Sequence, residues 1–231
     1  MAKKSKITEP TQAEKNVGEI LSKTDQFVES HLKLIITVVI AIILVVVAII
    51  GVRQVYFIPK EREAETAMYP IERYFSSQQW NLALNGDSLG NSGFLQIIDD
   101  YGFTKTGNLA KAYSGICFYH LGDYDSALQY LKEYKSKDII MSSAITGMIG
   151  DCYVELKEFE KAIDYFKKAA NKANSSLMSL TYLKKVAVTY ESLGNYKEAL
   201  NAYNTIKNKY PESQEASNID KYIERAKGSV K

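Results

Sequence analysis

The stretch AYSGICFYHLGDYDSALQYL, residues 112–131, decides the fold, because two later stretches repeat its pattern. The second is GMIGDCYVELKEFEKAIDYF, residues 147–166, and the third is KKVAVTYESLGNYKEALNAY, residues 184–203. The starting points of the three stretches lie 35 and 37 residues apart, and the spacing inside each stretch is identical. A period of this length is typical of stacked structural repeats.

The recurring residues suit pairs of antiparallel helices that pack closely against each other. Small residues at Gly115, Gly150 and Ala187 let the two helices of a pair approach. An alanine faces each of them from the second helix, and aromatic side chains fill the space toward the next pair. A single pair cannot bury its own apolar face, so the pairs have to stack. The sequence therefore predicts an all-α fold in the form of an α-solenoid. The recurring positions are Gly115, Phe118, Gly122, Asp123, Tyr124, Ala127 and Leu131; Gly150, Tyr153, Lys157, Glu158, Phe159, Ala162 and Phe166; and Ala187, Tyr190, Gly194, Asn195, Tyr196, Ala199 and Tyr203.

This pattern resembles the tetratricopeptide repeat, a helical hairpin with small residues where its two helices meet. The resemblance implies full repeats at 108–141, 143–176 and 180–213. Pro211 lies near the end of the last repeat, where the family favours proline, whereas Lys157 replaces the usual turn glycine. Three concurrent matches at one period make the resemblance specific for the fold.

The flanks of the three repeats complete a domain that is predicted to span residues 64–213. Residues 64–104 resemble a degenerate repeat, in which Trp80 and Ala83 match the aromatic and alanine positions. The loop Asn85–Gly93, NGDSLGNSG, interrupts the second helix of that repeat. Residues 214–231 are predicted to form a capping helix with a polar outer face and a tail, as the end of a solenoid requires.

Residues 34–52, LIITVVIAIILVVVAIIGV, carry no charged side chain. A helix of this length is roughly 28 Å long, close to the hydrocarbon thickness of a bilayer. We therefore predict a transmembrane helix at 34–52, after a polar cytoplasmic tail at 1–33 and before a juxtamembrane helix start at 53–63. A buried core helix would be expected to carry a polar stripe, and a cleaved signal peptide would have a shorter apolar run. An uncleaved signal anchor fits the pattern better.

Basic residues predict the orientation of this span only by a small margin. Three lysines precede it at 15, 23 and 33, and Arg53, Lys60 and Arg62 follow it. Three more lysines at positions 3, 4 and 6 favour an N-terminus in the cytoplasm. The prediction is a single-pass protein of the inner (cytoplasmic) membrane with its repeats in the periplasm.

The order of segments also resembles a group of bacterial membrane-anchored proteins related to the YfgM-like ancillary subunit of the Sec translocon. The resemblance rests on a lysine-bearing tail, one signal anchor, and repeats that include FLQIIDDYGFTKTGNLAKAYSGICFYHLGDY, residues 94–124. It implies contact with the translocon, with periplasmic chaperones or with emerging chains. The architecture alone carries this resemblance, because the repeat motifs are specific only for the fold.

A peptide groove is the functional surface that the family resemblance implies, formed by the first helices of the repeats. Its first third is apolar and aromatic and the rest is mixed, which suits an extended or helical peptide with an apolar anchor. Ile116, Asp151 and Val188 stand where family members that clamp the tails of cytosolic chaperones have asparagine, so we exclude that ligand. The predicted groove residues are Leu109, Ala112, Ile116, Tyr119, His120, Gly147, Asp151, Val154, Glu155, Lys184, Val188 and Glu191.

No constellation in the sequence predicts catalysis, a cofactor or a metal site. His120 has no partner residues at metal-ligand spacing, and Cys117 and Cys152 occupy equivalent repeat positions that predict buried free thiols. A near-balance of 29 basic and 27 acidic residues argues against nucleic acid as a partner. Other proteins or peptides, and the lipid bilayer through 34–52, are the predicted partners.

Three functions remain open at this point. The first is a protein-binding scaffold on the outer face of the membrane that serves protein export or folding. The second is a structural subunit in envelope assembly or cell division, although such repeat proteins usually carry a lipid-modified cysteine or a soluble signal. The third is a receptor of reversed topology that faces the cytosol.

Overall fold

The computed structural model describes residues 12–173 and 175–229, and these residues fold into helices joined by turns. The first eleven residues of the predicted tail, Asn174 of the predicted break after the second repeat, and the last two residues of the chain lie outside this part. Within it, the pairing of strands is limited to one isolated antiparallel bridge between Gly86 and Ser92. The prediction of an all-α fold is confirmed. The helices are α1 (Gln12–Val52), a π-helical segment (Arg53–Phe57), α2 (Ile58–Ser76), α3 (Trp80–Asn85), α4 (Phe94–Tyr101), α5 (Lys105–Leu121), α6 (Tyr124–Glu133), α7 (Ile139–Glu155), α8 (Phe159–Lys172), α9 (Ser176–Ser192), α10 (Tyr196–Lys209) and α11 (Gln214–Ser229).

The described chain divides into two compact units, one ending at Ile58 and one beginning at Pro59. The first unit contains α1, and the apolar side chains from Leu34 to Val52 are exposed, apart from a partly covered Ile35. Exposure of this kind excludes a helix buried in a soluble core. Among the described residues, one helix is long and apolar enough to cross a membrane by length and composition.

Three successive helical hairpins make up most of the second unit: α5 with α6, α7 with α8, and α9 with α10. Each hairpin also packs against the next, and α11 packs against α10. A continuous core of buried residues runs from Ala112 on α5 to Ala226 on α11. Every hairpin thus covers the apolar face of its neighbour, which is the stacking that the repeat pattern predicts.

Small residues set the distance between the helices of a hairpin. A Cβ atom added to Gly115 would lie 2.5 Å from Cγ of Leu131, and one added to Gly150 would lie 2.6 Å from Cε1 of Phe166. Both separations are far below van der Waals contact, so a large apolar side chain fills the space that the glycine leaves. The third hairpin has Ala187 at this position.

Side-chain caps fix the beginnings of several helices, among them α5, α6 and α7. Thr104 accepts a hydrogen bond from the backbone N–H of Gly107 at the start of α5, and Asp138 accepts one from Met141 at the start of α7. Asp123 caps α6 in the same way. Each cap satisfies an N–H group that the first turn of a helix leaves without a helical partner.

The degenerate repeat has its own smaller core. Helix α2 continues through Pro70 to Ser76, and the second helix is divided into α3 and α4, as the glycine-rich loop predicts. Met68 and Ile71 of α2 are buried together with Phe94 of α4. This second cluster packs against the N-terminal side of the first full hairpin, α5 with α6.

Helix α11 closes the other end of the stack. Ile219, Ile223 and Ala226 are buried, whereas most of the remaining described side chains of this helix are exposed. The ring centroids of Tyr222 and Tyr203 on α10 lie 5.7 Å apart. One apolar stripe and one polar face are what a terminal helix of a solenoid requires.

Candidate functional site

A depression of about 430 Å³ lies between α7 and α9 and brings four of the predicted groove residues together. Val154 and Val188 give it apolar walls, and the ring of Phe166 contributes from α8. Its polar lining comes mainly from the side chains of Asp151, Lys184 and their neighbours. The full lining is Asp151, Val154, Phe166, Thr181, Lys184, Lys185, Val188 and Thr189. An apolar pocket with a polar edge suits one anchoring side chain of a bound segment.

An ion pair joins the two hairpins at the edge of this depression. Nζ of Lys185 lies 2.7 Å from both carboxylate oxygens of Asp151, and both side chains are partly covered. Burial raises the pKa of Asp151, while the hydrogen bonds and the charge of Lys185 oppose this shift. Since the two charges satisfy each other, the pair holds α9 against α7 and leaves Lys184 as the cation that faces the depression.

The C-terminal end of this surface is basic. A second depression, of about 270 Å³, shares Lys184 with the first and is also lined by Lys221 and Tyr222. Nζ of Lys184 lies 4.9 Å from the centroid of the Tyr222 ring, and its hydrogen bond lowers the pKa of that tyrosine. Arg225 donates a 2.5 Å hydrogen bond to Glu191 nearby.

The N-terminal end is aromatic and acidic. The ring centroids of Tyr119 and Tyr124 lie 5.6 Å apart, and burial together with the carboxylates of Asp151 and Glu155 raises the pKa of Tyr119 to about 12. His120 is exposed and stacks on Trp80 of the degenerate repeat, with ring centroids 4.4 Å apart. Opposite charge therefore marks the two ends of the groove surface.

Two predicted groove residues are buried instead of exposed. Ala112 is fully covered, and a Cβ atom on Gly147 would overlap the ring of Tyr182. Both residues occupy a position that faces the first helix of the next hairpin, so neighbouring helices cover them and a ligand cannot reach them. Leu109 and Ile116 are partly covered because they pack against the two cores.

Sequence reasoning missed several residues of this surface. Lys185, Phe166 and Thr189 line the first depression, and Tyr222 and Arg225 of α11 extend the surface beyond the third repeat. The spacing of charged residues in the sequence could have predicted the two ion pairs. Asp151 and Lys185 lie 34 residues apart, as do Glu191 and Arg225, which is one repeat length between opposite charges.

The two cysteines are buried and free. Burial raises the pKa of both thiols to about 12, so neither is a reactive nucleophile at neutral pH. Within residues 12–173 and 175–229, no three histidine, cysteine, aspartate or glutamate side chains cluster in a way that could hold a metal ion.

Comparison with known families matches the three hairpins to tetratricopeptide repeat models. One model matches residues 113–138 and 185–213, and a second matches residues 147–171. The three hairpins therefore resemble tetratricopeptide repeats in sequence as well as in fold. The matched segments fall inside the repeats that the sequence pattern predicts, and each covers the turn with parts of the helices on both sides of it.

Relatives of known sequence and structure agree with this assignment. The chain is 26% identical over 165 residues to the TPR repeat-containing protein MJ1428 of Methanocaldococcus jannaschii, and the match covers 71% of this chain and about a quarter of that protein. A crystal structure of MamA protein has a TM-score of 0.52 at 16% identity, covering 72% of this chain and 83% of MamA. A crystal structure of a Podosopora anserina kinesin light chain candidate with nearly identical TPR-like repeats has a TM-score of 0.53 at 12% identity, covering 72% and 86% of the two chains.

The matches to repeat models support the fold and a broad role in binding other proteins. At such low identity the solved structures carry information about the fold alone. Tetratricopeptide repeats are typical of proteins that bind other proteins or peptides without catalysing a reaction, and the groove surface described above has the chemistry for such binding.

Proposed function

We propose that this chain is a membrane-anchored scaffold whose tetratricopeptide groove binds a segment of another protein. The observation that carries the proposal is the depression between α7 and α9, with Val154, Phe166 and Val188 beside the cation of Lys184. These residues come from successive hairpins, so only the stacked repeats create the site.

The charges of the groove define the segment that it accepts. Lys184 and Lys221 line its C-terminal end, whereas Arg225 is paired with Glu191 and Asp151 is paired with Lys185. A segment with an apolar side chain followed by acidic side chains would fill the depression and meet the basic end. Segments with basic residues at that end would be repelled.

The apolar helix α1 supports a location at a membrane. Its exposed stretch from Leu34 to Val52 has the length and composition of a span, and the lysines of the tail favour a cytoplasmic N-terminus. The repeats would then lie on the periplasmic face of the inner membrane. By resemblance to the YfgM-like subunits, the bound segments would belong to the translocon, to periplasmic chaperones or to chains during export and folding.

Site-specific photocrosslinking tests the groove in the full chain in its own membrane. A photoreactive amino acid at Val188 is expected to form adducts with export or folding proteins. Leu193 is the matched control, because it is 39% exposed against 42% for Val188 and lies outside the groove on the turn after α9. Val154→Asp should abolish the adducts at Val188 while far-UV circular dichroism stays unchanged.

Two results would contradict the proposal. Equal adduct patterns at Val188 and Leu193 would show that the groove has no preference for a partner. Adducts with cytosolic proteins only would refute the periplasmic location and favour the receptor of reversed topology.

A further inference from the structure

We propose that one edge of the repeat unit, where helices α5, α7 and α9 begin, rests on an anionic lipid surface. We call this edge the basic rim, and its residues are Lys105, Lys135, Lys137, Ile139, Ile140, Lys172 and Leu177. The inference rests on the proposed membrane anchor, but it assigns a second lipid contact that is separate from the apolar helix and from the peptide groove.

Hydrogen bonds show that the starts of successive first helices share one edge. The carboxylate of Glu61, near the start of α2, accepts hydrogen bonds from the backbone N–H groups of Lys105 and Thr106 at the start of α5. The side chain of Asn108 then exchanges two hydrogen bonds with the backbone of Lys135, in the segment before α7.

The same edge continues through the next two hairpins. Ser143, near the start of α7, donates a hydrogen bond to the carbonyl of Ala169 near the end of α8. Ser179, near the start of α9, donates to the carbonyl of Ala170. The starts of α2, α5, α7 and α9 therefore line up beside the ends of the second helices.

Large apolar side chains project from this edge into solvent. Ile140 is 64% exposed, Leu177 is 63% exposed and Ile139 is 49% exposed. Ile140 and Leu177 are each the second residue of their helix, a place that caps and charged residues usually occupy. Core packing does not explain such exposure, and helix capping does not require an isoleucine or a leucine.

Lysines surround these apolar side chains. Lys105, Lys135, Lys137 and Lys172 are exposed at the basic rim. Carboxylates of this edge are engaged, because Glu61 binds the start of α5, Asp138 caps α7 and Glu133 pairs with Lys111. Apolar side chains among lysines are the composition of surfaces that lie at the interface of an anionic bilayer.

The opposite edge, where the turns of the hairpins lie, has a different character. Asp123, Asp125, Glu158 and Glu160 are at the starts of the second helices there, where Lys161 pairs with Glu158 and Lys157 lies in the turn. Leu121 and Leu193 are less exposed than Ile140 and Leu177, at 41% and 39%. Acidic residues repel anionic headgroups, so the charge pattern favours the basic rim as the edge on the lipid.

The chain reaches the rim directly from the apolar helix. Glu61 follows Val52 by nine residues, and nine residues of chain span at most about 32 Å. Because Glu61 binds the start of α5, the rim begins within this short length of chain from the end of the predicted span.

Lipid-attached quenchers test the contact in the full chain. Ile140→Cys is labelled with an environment-sensitive fluorophore and reconstituted into vesicles of phosphatidylcholine and phosphatidylglycerol that contain nitroxide-labelled lipid. Its emission is expected to shift to the blue and to fall by roughly half or more, since interfacial side chains penetrate about 5–10 Å. Leu193→Cys is the matched control and should keep its emission.

Changing the charge of the basic rim, or of the vesicles, gives a second test of the contact. The double variant Lys135→Glu, Lys137→Glu and vesicles of phosphatidylcholine alone should each reduce the quenching at Ile140. Cys117 and Cys152 are buried, so the chain without an added cysteine serves as the labelling blank. Quenching that is independent of phosphatidylglycerol would overturn the assignment of an anionic lipid.

Other outcomes separate this proposal from the proposed function. A blue shift at Ile140 without quenching by nitroxide lipid would indicate that a second copy of the chain covers the rim, and would overturn the inference. Absence of quenching in a chain that resists carbonate extraction would overturn the rim and leave the anchor intact. Release of the chain by carbonate would instead overturn the anchor.

Discussion

Lys157 occupies the turn between α7 and α8, at the position that Gly122 and Gly194 hold in the hairpins on either side. Its φ of 60° lies in the left-handed region, where a residue with a side chain is less stable than glycine by about 1 kcal/mol. The repeat requires a left-handed residue at this position of the turn, although lysine disfavours that conformation. Stacking of the neighbouring helices offsets the local strain.

Asp87 is the residue that organises the loop between α3 and α4. Its carboxylate accepts hydrogen bonds from the hydroxyl of Tyr74 at 2.6 Å, from the side chain of Asn91 at 2.7 Å, and from the backbone N–H groups of Leu89 and Asn91. The hydrogen bond from Tyr74, followed by those from Asn91, lowers the pKa of Asp87 to about 2. The loop is therefore built around a charged carboxylate.

Replacing Asp87 by Asn should lower the thermal midpoint of the chain in a pH-dependent way. A lowered pKa stabilises the fold above the unfolded value of about 4, and this contribution is lost as the pH falls toward about 2. The difference between the original chain and Asp87→Asn should thus be largest above about pH 4 and shrink toward pH 2. Thermal melts followed by circular dichroism across this range measure it.

A second variant makes the test of Asp87 specific. Tyr74→Phe removes the strongest of the hydrogen bonds and so raises the pKa of Asp87 toward its unfolded value. The acid-linked loss should therefore be smaller, and complete at a higher pH, than in the original chain. A difference in midpoint that stayed constant from about pH 5 to about pH 2, within the range set by the carboxyl pKa values, would contradict this account.

At the scale of helices, the sequence could predict more of the fold than of the site. The bounds of α4 and the division of the second helix of the degenerate repeat follow from turn residues and apolar spacing. The pairing of Trp80 with His120, and the cap that Glu61 provides for α5, depend on how successive hairpins rotate against one another. That rotation is set by packing over the whole stack, which local spacing does not encode.

The groove illustrates the same division. Repeat positions assigned Asp151, Val154, Lys184 and Val188 to the groove, and these four residues line one depression in the structure. They also placed Ala112 and Gly147 on the surface, where the next first helix in fact covers them. Alignment to the repeat family predicts which face of a hairpin a residue lies on. The distance between neighbouring helices decides whether a ligand can reach that residue.

Gly150→Ala should destabilise the second hairpin by about 1–3 kcal/mol, because the new methyl group would overlap the ring of Phe166. The ring is buried among core residues and cannot move away freely. Urea unfolding of the full chain in detergent, followed by far-UV circular dichroism, should show a lower midpoint.

The chain offers a matched control for Gly150→Ala. Gly228 lies in α11 with no atom within 4 Å of an added Cβ, so Gly228→Ala should stabilise the chain by about 0.4–1 kcal/mol through reduced backbone entropy. The double variant Gly150→Ala, Phe166→Leu should recover part of the loss. Equal effects of both alanines would mean that the close approach of α7 and α8 is not what requires glycine.

At the scale of the whole molecule, each unit carries a different kind of evidence about the membrane. The first contributes an exposed apolar helix, and the second contributes lysines and apolar side chains along one edge. The basic end of the groove, at Lys184 and Lys221, is a third positive region. All three are compatible with a protein that works beside an anionic bilayer and selects acidic segments of its partners.

Orientation across the membrane depends on few charges, and this makes it testable. With three basic residues on each side of 34–52, Lys3, Lys4 and Lys6 supply the excess that favours a cytoplasmic N-terminus. We expect a phosphatase fused after Lys231 to be active, because it would reach the periplasm, and a fluorescent protein at the same point to stay dark. Changing the three lysines to Gln should remove the excess and yield chains of both orientations, so that both reporters give signals. If the original chain gave fluorescence alone, the repeats would face the cytosol, and the partners of the groove would have to be sought there.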